Sequence, residues 1–186
     1  MGRFEEANRE MKRARALDPV SRIIATDWGV ALYSERRYDE AYQELSKVIE
    51  LDPEFSEALE WRGLVLLQQA RYDAAIADFR RATRIDSSPR RLSHLGFAYG
   101  VAGKTAQAQL TLRRLEDLSK RVYVSPWCFA LVYTGLGDKD RAFLLLDKAF
   151  SERSADLIAL KVTPAYDSLR SDARFTDLLA RVGVPN

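Results

Sequence analysis

Two residues of this sequence have side chains that could act together in catalysis or metal binding. The only histidine is His94 and the only cysteine is Cys128. A cysteine beside a histidine can serve as nucleophile and base, and both residue types bind zinc. No third ligand type or orienting carboxylate recurs at a matching spacing, so ordinary packing is the favoured interpretation. We expect no enzyme, no cofactor and no metal site; an enzyme built on His94 and Cys128 is the weaker alternative.

A second short motif, Gly103-Lys104-Thr105, ends like a phosphate-binding loop. Such loops follow a β-strand and hold phosphates with backbone N–H groups before a helix. The sequence ahead of Gly103 lacks that strand. We therefore predict a turn between two helices here, where glycine adopts a positive φ at little cost.

The charge of the chain gives no general attraction to nucleic acid or to anionic membranes. Lysine and arginine total 29 against 27 aspartate and glutamate residues, a formal net charge of +2. The densest basic stretch, residues 80–91, is interpreted as a solvated helix face that Asp78 and Asp86 partly neutralise. A single cysteine excludes a disulfide within the chain, and the longest apolar run, residues 127–133, is too short to span a bilayer. We expect a cytoplasmic protein that binds neither nucleic acid nor membrane.

Landmark residues recur along the chain at a nearly constant interval. The triplet Leu-Asp-Pro at residues 17–19 returns at residues 51–53, and the pair Tyr-Asp at residue 38 returns at residue 72. One residue is missing from this spacing in the turn at residues 87–89. Small residues follow the same interval, and a larger side chain there would force packed helices apart. We expect burial at Gly29, Gly63, Gly96 and Ala130 on first helices, and at Ala41, Ala75, Ala108 and Ala142 on second helices.

The spacing predicts nine helices separated by short turns. They cover residues 2–17, 21–35, 38–50, 55–69, 72–84, 90–102, 105–119, 125–136 and 139–152. This pattern resembles the tetratricopeptide repeat, a helix-turn-helix unit of about 34 residues. The resemblance implies an all-α fold, a right-handed superhelix (α-solenoid) over residues 1–186 with a C-terminal cap. Its parts are the second helix of a truncated repeat (2–20), four hairpins (21–54, 55–88, 89–121 and 122–152) and the capping segment (153–186).

The last 60 or so residues carry a more specific resemblance. ALVYTGLGDKDRAFLLLDKAF at residues 130–150 and LKVTPAYDSLRSDARFTDLLARVGVP at residues 160–185 are similar to the C-terminal repeat region of bacterial multidomain signalling and regulatory proteins. Ala173 departs from that family, which usually has proline there. The resemblance implies a regulatory or scaffolding role. Phe175, Leu178 and Leu179 share one helix face, and we expect them to cover the final repeat.

First helices of tetratricopeptide solenoids line a concave groove, so the resemblance implies a partner-binding row of apolar residues. A protein or peptide with an apolar or amphipathic segment would bind there. On this interpretation Trp127→Ala weakens partner binding and leaves the fold intact. The alternative is that these side chains pack against neighbouring helices and leave little surface. The predicted row is Tyr33, Leu64, Leu67, Phe97, Val101, Trp127 and Leu131.

A second function remains open, namely self-association through the N-terminal helix. Its apolar stripe is longer than one hairpin needs, so a second copy could cover the remainder and give a weak homodimer. The stripe consists of Phe4, Ala7, Met11, Ala14 and Leu17.

Overall fold

Every regular element in the described part of the chain is a helix. The computed structural model describes residues 4–183, apart from the side chains of residues 4, 5, 7 and 8. The α-helices are α1 (Phe4–Leu17), α2 (Arg22–Ser34), α3 (Tyr38–Leu51), α4 (Ser56–Gln68), α5 (Tyr72–Ile85), α6 (Pro89–Val101), α7 (Thr105–Ser119), α8 (Pro126–Leu136), α9 (Lys139–Ser151) and α10 (Ala173–Val182). Two short 3-10 helices, Ala155–Ala159 and Pro164–Leu169, precede α10. From α2 to α9 the predicted bounds agree to within one residue.

The helices divide into two compact units, residues 1–86 and residues 87–186. The first unit contains α1 and the hairpins α2–α3 and α4–α5; the second contains the hairpins α6–α7 and α8–α9 and the C-terminal tail. The boundary coincides with the turn in which the repeat spacing is one residue short. A single solenoid over the whole chain stays a prediction.

None of the helices within residues 4–183 is long and apolar enough to cross a bilayer.

Small residues lie where packed helices touch, as predicted. A Cβ atom on Gly29 would lie 2.6 Å from Cγ of Leu45, and one on Gly63 would lie 2.8 Å from Cζ of Phe79. The second-helix alanines are fully buried. Each hairpin of the first unit is therefore held by a glycine on one helix against a large apolar side chain on the other.

The turns inside the hairpins use a left-handed residue at the same repeat position. Gly103 and Gly137 have φ values of +71° and +75°, which confirms the turn predicted at Gly103 and shows an equivalent turn at Gly137. The equivalent residues of the first unit are Arg36 and Ala70, with φ values of 63° and 57°. A left-handed conformation costs a residue with a Cβ atom about 1–2 kcal/mol. The packing of α2–α3 and α4–α5 therefore imposes these turns without help from glycine.

The C-terminal tail covers α9, which confirms the predicted packing of its apolar side chains. Phe175, Leu178 and Leu179 are buried, and α10 packs against α9. The guanidinium group of Arg174 lies 4.2 Å from the ring centroid of Phe143 and donates a hydrogen bond of 2.8 Å to Asp140. Apolar packing is thus joined by a cation–π contact and an ion pair at the same end of the two helices.

A second set of contacts one heptad along fixes the register of α10. Arg181 lies 4.5 Å from the ring centroid of Phe150 and donates to Asp147 at 2.8 Å. Each Arg–Asp pair joins residues 34 positions apart. Helix α10 therefore runs parallel to α9, in the register that the second helix of another repeat would have. The two 3-10 helices stand where its first helix would be.

The N-terminal helix α1 packs on the first hairpin through its last turn. Arg15 donates to Glu44 at 3.0 Å, and its guanidinium group lies 5.6 Å from the ring centroid of Trp28. Phe4 and Ala7 of the predicted stripe lie outside the described side chains. Met11 and Ala14 are half-buried, and Leu17 is exposed.

Candidate functional site

His94 and Cys128 both lie in the core of the second unit. The imidazole ring of His94 stands edge-on to Trp127, with 5.8 Å between ring centroids and an angle of 87°. Cys128 is buried beside Ser93, and this burial, assisted by the negative charge of Asp156, raises the pKa of its thiol from about 9 to about 12. A neutral thiol is a poor nucleophile. Within residues 4–183, no group of three or more histidine, cysteine or acidic side chains could hold a metal ion.

The raised pKa of Cys128 predicts a thiol that resists alkylation in the folded protein. At pH 8 we expect it to react at least about 100-fold more slowly with iodoacetamide than it does in denaturant, because only the thiolate reacts. The folded state holds this proton more tightly than the unfolded state, so the contribution to stability is complete below about pH 9 and is lost as the pH rises towards 12. Equal alkylation rates with and without denaturant would contradict the assignment.

In the first unit the predicted row is part of the core. Tyr33, Leu64 and Leu67 are all buried. The ring of Tyr33 contacts Trp61, with 5.8 Å between centroids, and Tyr38, with 5.9 Å between centroids. These contacts use the faces and edges of the Tyr33 ring that a partner would otherwise approach.

In the second unit the first helices α6 and α8 touch through their backbones. A Cβ atom on Gly100 would lie 2.5 Å from the carbonyl carbon of Gly135, and one on Gly135 would lie 2.6 Å from the carbonyl oxygen of Phe97. No ligand fits between helices at this separation. Phe97 and Leu131 are accordingly buried, whereas Val101, just beyond the glycine contact, is 38% exposed.

Helix α6 supplies the charged neighbour of Trp127, and the C-terminal tail pairs with that charge. The guanidinium group of Arg90 lies 5.8 Å from the centroid of the Trp127 ring and 3.5 Å from the carboxylate of Asp156. The hydroxyl of Ser154 donates to the same carboxylate at 3.0 Å. Trp127 is 6% exposed. This side chain belongs to the core and not to an open groove, so we expect that its removal would disturb the fold.

Six of the seven row residues are thus buried, and Val101 alone among them offers exposed apolar surface. Packing against neighbouring helices, the alternative raised by the sequence, describes these six side chains. Partner binding along the row stays a prediction. In the described conformation, Val101 is the row residue whose apolar side chain a partner could contact directly.

One buried charge pair was missed from the sequence. Asp78 is buried and accepts two hydrogen bonds from Arg62, at 2.7 and 2.9 Å. The interpretation of Asp78 as an exposed neutraliser of the basic stretch is wrong, because its side chain points into the α4–α5 hairpin. The basic stretch has other partners; Arg81 donates to the backbone oxygen of Pro53 at 2.9 Å. The signal was available, since Asp78 lies one helical turn from both Ala75 and Ala82 on the buried face of α5.

The comparisons with known proteins agree with the helical pattern. The family model described as "Tetratricopeptide repeat" matches residues 1–53 and 26–89. No curated protein matches the chain significantly in sequence.

Solved structures with the same fold include two that are described as tetratricopeptide proteins. A tetratricopeptide repeat protein from Parabacteroides merdae is 15% identical, with a TM-score of 0.56 over 97% of this chain and 72% of that chain. YrrB, described as having an unusual peptide-binding site, is 17% identical, with a TM-score of 0.54 over 92% of this chain and 89% of that one. A chain of the APC/C Cut9–Hcn1 hetero-tetramer is 16% identical, with a TM-score of 0.68 over 96% of this chain but only 36% of that chain. The fold is therefore the all-α fold of tetratricopeptide proteins.

Proposed function

We propose that this chain is a protein-interaction module that binds a segment of another protein. The observation that carries the proposal is its fold, which is shared with tetratricopeptide proteins that include one with a peptide-binding site. The family match and the fold support a protein-interaction scaffold in preference to an enzyme. The buried thiol of Cys128 and the buried His94 favour the same choice, because neither side chain is open to a substrate.

The partner segment that fits this module is apolar or amphipathic. Val101 ends α6 with exposed apolar surface immediately beside the closed Gly100–Gly135 contact. Phe97, on the same helix, is buried, so this side chain is already ordered before a segment binds. We place the first contact of the partner at Val101, at the margin of the row.

The role we propose for the module is regulatory, within a larger cytoplasmic signalling protein of bacteria. Support comes from the sequence of residues 130–185, which is similar to the C-terminal repeat region of such proteins. In the structure of the tail, α10 covers α9 and leaves the charged side chains of Arg174 and Arg181 on the surface. A covered last repeat suits a module that binds its partner segment at another place, here Val101.

Selection of binding segments from a displayed peptide library tests this proposal. We expect apolar or amphipathic segments to be enriched, and Val101→Asp to weaken the best of them about tenfold or more, because a charge would be desolvated at the contact. Val122→Asp is the matched control, since Val122 is also about half exposed, at 49%, but lies after α7. Equal loss in both variants, or no enrichment at all, would contradict the proposal.

Self-association is the second candidate function. Leu17 is 80% exposed and Val20 is 85% exposed at the turn between α1 and α2. Together these two side chains present apolar surface at one turn, and covering it with a second copy would remove that surface from water.

A further inference from the structure

A groove opens at the end of the second unit, where α9, the first 3-10 helix and α10 meet. Its volume is about 570 Å³, and its apolar wall is formed by Phe150, Leu157, Ile158 and Val182. Ile158 and Val182 retain exposed surface, so the groove is open to an approaching polypeptide. We call this feature the C-terminal groove. A volume of this size accommodates a few side chains.

One charged side chain lines the C-terminal groove among its described residues, that of Arg153. Arg153 ends the turn after α9 in a left-handed conformation with φ of 57°, a place where glycine would cost less. Its guanidinium group is exposed and makes no ion pair with any described residue. Arg174 and Arg181 of the neighbouring α10 are both paired with aspartates. The groove therefore presents an apolar wall and one available positive charge.

The first unit presents the complementary chemistry on a surface that we call the Leu17 edge. It consists of Leu17, Asp18 and Val20 at the turn between α1 and α2. Both apolar side chains are almost fully exposed. The carboxylate of Asp18 is exposed between them and makes no ion pair with any described residue.

We propose that the Leu17 edge of one copy of this chain docks in the C-terminal groove of a second copy. Leu17 and Val20 would cover the apolar wall, and Asp18 would pair with Arg153. This inference rests on the second candidate function, self-association, and names the two surfaces that carry it. The contact joins two different surfaces, so in a pair one copy keeps its groove and the other keeps its Leu17 edge available for a further copy. Three side chains against a small groove bury far less area than a permanent dimer needs, so the association is weak and sensitive to salt.

Sedimentation equilibrium of the full chain, at protein concentrations up to about 1 mM, tests the proposal, because this concentration detects dissociation constants as weak as millimolar. We expect the average mass of the unaltered protein to rise above 21.2 kDa with concentration. Asp18→Arg and Arg153→Asp should each weaken association about tenfold, because each places like charges opposite one another. An equimolar mixture of the two variants should regain association, since the arginine introduced in one variant would then face the aspartate introduced in the other.

Matched controls separate this contact from general effects of charge. Asp27→Arg and Arg113→Asp reverse exposed charges that make no ion pair with described residues, and they should leave the average mass unchanged. Val101→Asp should also leave it unchanged, so failure of partner binding and failure of self-association can be told apart. Thermal unfolding of each variant confirms that it is folded. A monomer at every concentration, equal loss in the controls, or a mixture no better than its components would overturn the proposal.

Discussion

Replacing Trp127 with alanine is expected to lower the free energy of unfolding by about 3–5 kcal/mol, the range for loss of a large buried aromatic side chain. The indole packs edge-on to His94 and beneath Arg90, which in turn pairs with Asp156 of the tail. Its removal leaves a cavity between α8 and its neighbours and withdraws the ring on which Arg90 rests. Urea unfolding followed by circular dichroism measures the change.

The control for Trp127→Ala is Tyr123→Ala in the same unit. Tyr123 is exposed, and its hydroxyl donates to Glu152 at 2.7 Å on the surface. We expect a loss below about 1 kcal/mol for this variant. If Trp127→Ala lowered the free energy of unfolding no more than Tyr123→Ala does, the indole would have to be exposed. An exposed indole is what the sequence predicted for the partner-binding row.

Removal of the buried carboxylate by Asp78→Ala should have a loss of similar size, about 3–5 kcal/mol. The variant leaves the guanidinium group of Arg62 largely buried, with its bidentate partner gone. The double variant Arg62→Met, Asp78→Leu should recover most of the loss, because an apolar pair of similar volume needs no compensating charge. Chemical denaturation of Arg62→Met, Asp78→Leu and the double variant that combines them gives the coupling between the residues.

Asp27→Ala is the matched control in the first unit, because Asp27 is exposed and makes no ion pair with any described residue. Its free energy of unfolding should stay within about 0.5 kcal/mol of the unaltered protein. If the free energy of unfolding of Asp78→Ala were equally close to that of the unaltered protein, Asp78 would have to lie on a solvated helix face, in contact with water.

The features that were predictable from the sequence are those that follow from the repeat period or from the pattern of a single helix. Helix bounds follow from the spacing of apolar residues and turns, and burial of Gly29 or Ala75 follows from the contact that every hairpin repeats. Phe175 was predictable as a capping residue because an amphipathic helix must cover its apolar face. Each of these predictions needs only information that is local or that recurs in every repeat.

The features that the sequence predicted wrongly depend on contacts that do not recur from repeat to repeat. The contact between Gly100 and Gly135 brings α6 against α8 at one place, and Asp156 reaches Arg90 from the irregular tail. Neither contact has an equivalent in the pattern of repeats. The sequence therefore predicted an open groove between α6 and α8, whereas in the structure these two helices touch. The left-handed turn at Ala70 was missed for a related reason, because tertiary packing there overrides the local preference for glycine.

The central claim is that a partner segment contacts the exposed margin of the row while the rest of the row is core. Methyl-resolved NMR during titration with a selected segment tests this most directly. Val101 and Leu131 report on the two environments, since one is partly exposed and the other is buried in the same unit. We predict large shifts at the methyl groups of Val101 and small ones at Leu131. Large shifts at Leu131 with none at Val101 would contradict the claim, because the segment would then have entered the core that the structure shows as closed.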